Sequence, residues 1–124
     1  MADTTIPAAA EARRAILELL EAEPDRRSPH SGIGPLWRDD DGRYDIVGEY
    51  LFVRLGLPWD DEFENEDVGT VLERVFGRYP AALERELRLA QDEADGEGDL
   101  ESDDPNRPPR WGDVAAWLRE LGWP

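Results

Sequence analysis

Cysteine is absent from this 124-residue chain, which excludes disulfides, thiolate catalysis and cysteine-ligated zinc. Lysine is also absent, so arginine supplies all 14 basic residues against 30 acidic ones. Apolar runs of the length of a membrane span are missing. The stretch from Met1 to Arg14 lacks the basic start and apolar centre of a signal peptide. We therefore expect a soluble, cytoplasmic protein.

The formal net charge of -16 restricts the partners of the chain. Nucleic-acid affinity depends on neutralising phosphates with Arg and Lys, and an acidic surface repels phosphates. Direct binding of DNA or RNA is therefore not expected, and anionic membranes are disfavoured on the same ground. A basic protein partner fits this charge. Acidity without lysine is equally typical of proteins from GC-rich or salt-adapted organisms, so the charge alone does not separate a functional from an adaptive origin.

Hydrophobic periodicity predicts a mainly α fold: one small domain over residues 1–124 with four to five short helices. The first helix is expected to begin near Pro7 with Thr5 as N-cap, and the third to be capped by Asn65. A fourth helix is expected to open at Pro80. The helical stripes fall in segments 9–20, 44–55, 68–76, 83–94 and 113–121.

Two segments do not follow a helical pattern. Asp41-Gly42 is a hairpin-turn signal with apolar residues on both sides, which predicts a short β-hairpin near 36–46. Residues 92–104 contain eight acids and no base, so we predict a flexible acidic loop over about 92–110.

Catalytic candidates are weak. Ser28, His30 and Ser31 share one polar loop, yet neither serine has a nucleophile-elbow motif and a triad is recognised by geometry. The many carboxylates include no pair that stands out as an acid/base couple. We therefore predict no enzymatic activity, no catalytic residues and no cofactor.

A calcium loop can be traced from Glu93 to Asp104, but it departs from the EF-hand pattern. Its first residue is Glu rather than Asp, its last is Asp rather than Glu, and prolines follow it. We assign no metal-binding residues. Divalent-cation binding stays open as an alternative function.

Two stretches resemble a family of small proteins of unknown function from actinobacteria and their phages. The first is the Asp39-Asp40-Asp41-Gly42-Arg43 turn followed by an apolar helix. The second is the Asp104-Pro105-Asn106-Arg107 turn before the last helix. The Trp-Asn and Thr that flank this second turn in the family are missing here. The resemblance implies a small helical domain and no particular activity.

We predict a non-catalytic, acidic interaction module that binds a basic protein partner. An inhibitor or immunity-type protein, or a nucleic-acid mimic that blocks a nucleic-acid-processing enzyme, has this design. Carboxylates would supply an electrostatic field that attracts the partner. Exposed contacts would come from Trp111 and Trp123, which flank the last helix outside its apolar stripe. The predicted binding residues are Asp39, Asp40, Asp41, Asp60, Asp61, Glu62, Glu64, Glu66, Asp67, Trp111 and Trp123. The alternative is a small structural or regulatory domain whose acidity is adaptive and whose site is an apolar groove.

Overall fold

Helices dominate the computed structural model, which describes residues 6–31 and 34–123. The predicted mainly α fold is confirmed. Thr5, the predicted first N-cap, lies outside the described residues. The α-helical segments are α1 (Ala9–Ala22), α2 (Ile46–Gly48), α3 (Val68–Phe76), α4 (Ala81–Asp95) and α5 (Trp111–Glu120). In the described part of the chain, no helix is both long enough and apolar enough to cross a membrane.

The core is built from the predicted apolar stripes of the helices. α1 buries Ile16 and Leu20, α4 buries Leu83 and Leu87, and the two helices contact each other. All four other helices, α1, α2, α3 and α5, contact α4. An amphipathic helix buries its stripe against others and leaves its polar face in water, so α4 becomes the central element.

The segment after Asp45 is helical as predicted, but its winding changes along its length. α2 passes without a break into a π-helical segment, Glu49–Arg54. Its wider turn is closed by a 2.9 Å hydrogen bond from the Leu55 amide to the Tyr50 carbonyl. π-helical turns are rare in proteins, and those that occur often lie at functional sites. Side-chain periodicity does not distinguish such a segment from an ordinary helix.

The hairpin predicted near 36–46 consists of one antiparallel bridge, between Arg38 and Tyr44. Gly42 has φ +81°, which a glycine adopts without strain, and its amide donates to the Asp39 carbonyl at 3.1 Å. A second small hairpin pairs β1 (His30–Ser31) with β2 (Gly34–Pro35).

Several predicted boundaries are wrong. Asn65 ends a short 3-10 helix, Asp61–Asn65, and Asp67 is the N-cap of α3, with its carboxylate accepting from the Thr70 amide at 2.8 Å. α5 begins at Trp111, two residues before the predicted start at Asp113. α4 continues to Asp95, so the first four residues of the predicted flexible loop are helical.

The expectation that Trp111 and Trp123 are exposed is also wrong. Trp111 is completely buried; its indole N–H donates to Ser28 Oγ at 3.2 Å, and Arg26 lies over its ring at 4.0 Å. Trp123 is 6 % exposed. Both side chains belong to the core because the loop after α1 and the chain end after α5 fold back onto the helices.

Candidate functional site

A pocket of about 300 Å³ opens between the segment before α3, the start of α2 and the end of α4. We call it the acidic pocket. Among the described residues, no basic side chain lines it. Its apolar and neutral walls come from Leu36, Trp37, Asn65 and Gln91. Its acidic lining residues are Asp45, Glu64, Glu66, Asp67, Asp95 and Glu97.

Asp45 forms the floor of the acidic pocket and is 1 % exposed. As the N-cap of α2, its Oδ1 accepts from the Gly48 amide at 2.7 Å, and its Oδ2 accepts from Gln91 Nε2 at 2.9 Å. Burial raises the pKa of Asp45 to about 7, although these two hydrogen bonds favour the charged form. Both oxygens of this carboxylate therefore have donors.

Asp95 is the second buried carboxylate and is 8 % exposed. Burial and, after it, repulsion from Asp45 raise the pKa of Asp95 to about 9. Its Oδ1 is buried and receives no hydrogen bond from the described residues. Asp95 also lines a larger cavity of about 850 Å³, on whose wall His30 and Arg107 lie. The two carboxyl groups therefore retain protons to higher pH than exposed aspartates do.

The end of α4 is an unusual place for these charges. The last turn holds Asp92, Glu93 and Asp95 and no basic residue, and Gly96 follows with φ +82°. The carboxyl end of a helix carries partial negative charge, so acidic residues there are unfavourable. Glu93 is compensated by hydrogen bonds from Trp117 Nε1 at 2.5 Å and the Leu100 amide at 3.0 Å. Oδ1 of Asp95 lacks such a donor within the described chain.

The second half of the acidic segment 60–67 forms the rim of the pocket, and part of the segment's charge has structural roles. Asp60 caps the 3-10 helix and Asp67 caps α3. Glu62 pairs with Arg74 at 2.8 Å, and Asp67 lies 3.2 Å from Arg88. Glu64 is exposed. Glu64, Glu66 and Asp67 are thus the predicted binding residues that the fold brings beside Asp45 and Asp95.

Aromatic contacts place the Asp39–Asp41 turn beside this rim. The Arg38 guanidinium lies over the rings of Tyr44 at 5.4 Å and Trp59 at 5.8 Å. Trp37 Nε1 donates to the Glu66 carbonyl at 2.8 Å. We call the combination of residues 39–41, residues 60–67 and the acidic pocket the acidic face. The 60–67 segment and the end of α4 therefore both bring acidic residues to the pocket, and the 39–41 turn is linked to the 60–67 segment through Trp37.

The residues considered for other chemistry are not brought into a reactive arrangement. Ser28 is buried beneath Trp111, whereas His30 is exposed. No group of three or more His, Asp or Glu side chains within residues 6–31 and 34–123 is arranged to hold a metal ion. The exposed large hydrophobic side chains of the described chain are Val53 and Leu121.

Sequence reasoning missed Asp45 and Asp95. Asp45 stands directly before the buried stripe that starts at Ile46, which is the position of an N-cap. Leu87, Gln91 and Asp95 recur every four residues and share one side of α4. Gly96 is a typical residue to follow the end of a helix, so a helix that continues to Asp95 would have placed Asp95 on the same side as Gln91.

Comparison with known proteins finds no match: no family model, curated protein or solved structure is significantly similar to this chain.

Proposed function

We propose that the protein is a non-catalytic interaction module that binds a basic protein partner through the acidic face. The observation that carries this proposal is a pocket lined by six acidic residues and, among the described residues, by no basic side chain. Opposed charge on a partner speeds encounter and sets orientation. An inhibitor of a nucleic-acid-processing enzyme would use such a face to occupy the basic channel that otherwise holds phosphates.

Exposed carboxylates on the acidic face support this use of it. Ion pairs occur away from the face, as between Arg119 and Glu21 at 2.8 Å, and also on it, as between Arg74 and Glu62 at 2.8 Å. Asp40, Asp41 and Glu64 are exposed on the acidic face and take part in no ion pair of the described residues. Such carboxylates are available to meet basic side chains of a partner.

The experiment starts with capture of partners from host lysate at low salt and identification of the captured protein. Binding of that purified partner is then measured for the wild type, for Asp40→Asn/Glu64→Gln, and for Glu11→Gln/Glu120→Gln. The two double variants remove the same number of exposed carboxylates, on and away from the acidic face.

We expect a basic partner whose association slows with added salt and with the first double variant more than with the second. A partner that is not basic, or binding that responds equally to both variants, would contradict the proposal. Binding indifferent to salt and to both variants would favour the apolar-groove alternative.

A further inference from the structure

The acidic pocket contains a buried acceptor that the protein itself does not satisfy. Asp95 is only 8 % exposed, and its Oδ1 accepts no hydrogen bond from the described chain. A buried acceptor without a donor destabilises the folded state. Native proteins retain few such atoms, so each one needs a proton, a water molecule or a ligand to explain it.

The surroundings of Asp95 indicate the chemistry of the missing group. Asp45 already has a donor on each oxygen and lies within reach of the charge of Arg26, so the missing donor and the missing positive charge are those of Asp95. The carboxyl end of α4 carries partial negative charge, which also favours a positively charged group at this place. A group that carries both N–H donors and a positive charge meets both requirements, whereas a neutral donor meets one.

The shape of the pocket favours a single cationic side chain. A volume of about 300 Å³ lies at the lower end of the range for small-ligand sites. Leu36 and Trp37 line the same pocket and offer apolar surface for the methylene stem of such a side chain. A bound metal ion would need more carboxylate ligands than the described residues bring together.

We propose that the acidic pocket receives one Arg or Lys side chain of the basic partner, whose charged nitrogen donates hydrogen bonds to the carboxyl group of Asp95. This inference rests on the proposed function and names the contact that would anchor it. The exposed acids of the acidic face attract the partner, and Asp95 fixes its register. A buried, charge-assisted contact contributes mainly to the rate of dissociation.

The test uses the full chain with two probes, Nα-acetylarginine amide and its neutral isostere Nα-acetylcitrulline amide. Binding is followed by the Trp37 indole N–H and by the carboxyl carbons of Asp45 and Asp95 in NMR spectra. We expect the arginine probe to shift these signals saturably and the citrulline probe to leave them unchanged. Asp95→Asn should weaken the arginine probe about tenfold or more. The exposed Glu101→Gln, with the same loss of charge, should bind as the wild type does.

Three outcomes would overturn the inference. The two probes could bind equally well to the wild type, a comparison that does not depend on any variant folding. Asp95→Asn could bind the arginine probe as the wild type does. Magnesium or calcium chloride could shift the pocket signals where the arginine probe does not, which would assign the pocket to a metal ion. In each case, the proposed function stands or falls separately, on whether Asp40→Asn/Glu64→Gln weakens binding of the captured basic partner.

Discussion

The side-chain amide of Gln91 donates from Nε2 to Oδ2 of Asp45 at 2.9 Å, joining α4 to the N-cap of α2 across 46 positions of sequence. This bond holds the carboxyl group of Asp45 in the interior, where Asp95, one helical turn beyond Gln91, lines the same pocket. The two carboxylates therefore behave as a pair, and their protonation is linked to folding.

Stability should fall as pH rises from about 5 to 9. The pKa values of Asp45 and Asp95 are raised from 3.8 to about 7 and about 9, so the folded chain binds these protons more tightly than the unfolded chain. The stabilisation from the neutral carboxyl groups is complete below the unfolded pKa and is lost as pH passes the folded values. Urea denaturation across this pH range measures the effect.

Asp95→Asn should remove the upper part of this pH dependence. The isosteric amide stays neutral, so at about pH 8 the variant should be more stable than the wild type by about 1 kcal/mol or more, because one pKa unit corresponds to about 1.4 kcal/mol. Asp99→Asn, in the exposed loop after α4, is the charge-matched control and should keep the wild-type slope. A wild-type slope in Asp95→Asn would show that the pair does not titrate as described.

Asp67→Ala should destabilise the fold by about 1 kcal/mol, because the carboxylate satisfies the Thr70 amide at the start of α3. Asn65→Ala, at the position that the sequence pattern favoured as the cap, should change stability by less than about 0.5 kcal/mol. Thermal denaturation of both variants at neutral pH compares them. Equal losses would mean that the capping bond does not stabilise α3.

Glu93→Ala should lower the free energy of unfolding by about 1–3 kcal/mol, because Trp117 Nε1 and the Leu100 amide both donate hydrogen bonds to this carboxylate and would lose their acceptor. The loop after α4 should loosen at the same time, and amide hydrogen exchange at Leu100 should accelerate. Glu101→Ala removes an exposed carboxylate from the same loop and serves as the control. Unchanged exchange in Glu93→Ala would show that Glu93 does not hold the loop.

Trp111→Phe should destabilise the fold by about 1–3 kcal/mol, since it removes volume from a fully buried site and leaves Ser28 Oγ without its indole donor. Adding Ser28→Ala should then cost less than it does in the wild type, because the two side chains share one hydrogen bond. A double-mutant cycle by urea denaturation measures this coupling. Strict additivity would indicate that the bond contributes nothing.

The core stripes of the helices were predictable because they are local. Val68, Val71 and Leu72 repeat at helical spacing within one element, and each is completely buried in α3. The ends of the elements were less predictable. Asn65 and Asp67 are both good caps, and the choice between them depends on where the 3-10 helix before α3 ends.

The amino-acid sequence by itself determined the helical class, the acidic charge and the exclusion of cysteine chemistry, since these follow from composition and from spacing within single segments. Only the tertiary structure decided that Trp111 and Trp123 are buried and that Asp45 and Asp95 share a pocket with the 60–67 segment. The burial of a side chain and the pKa of a carboxylate depend on which distant elements pack against it. That packing is a property of the assembled helices and is not contained in any local pattern.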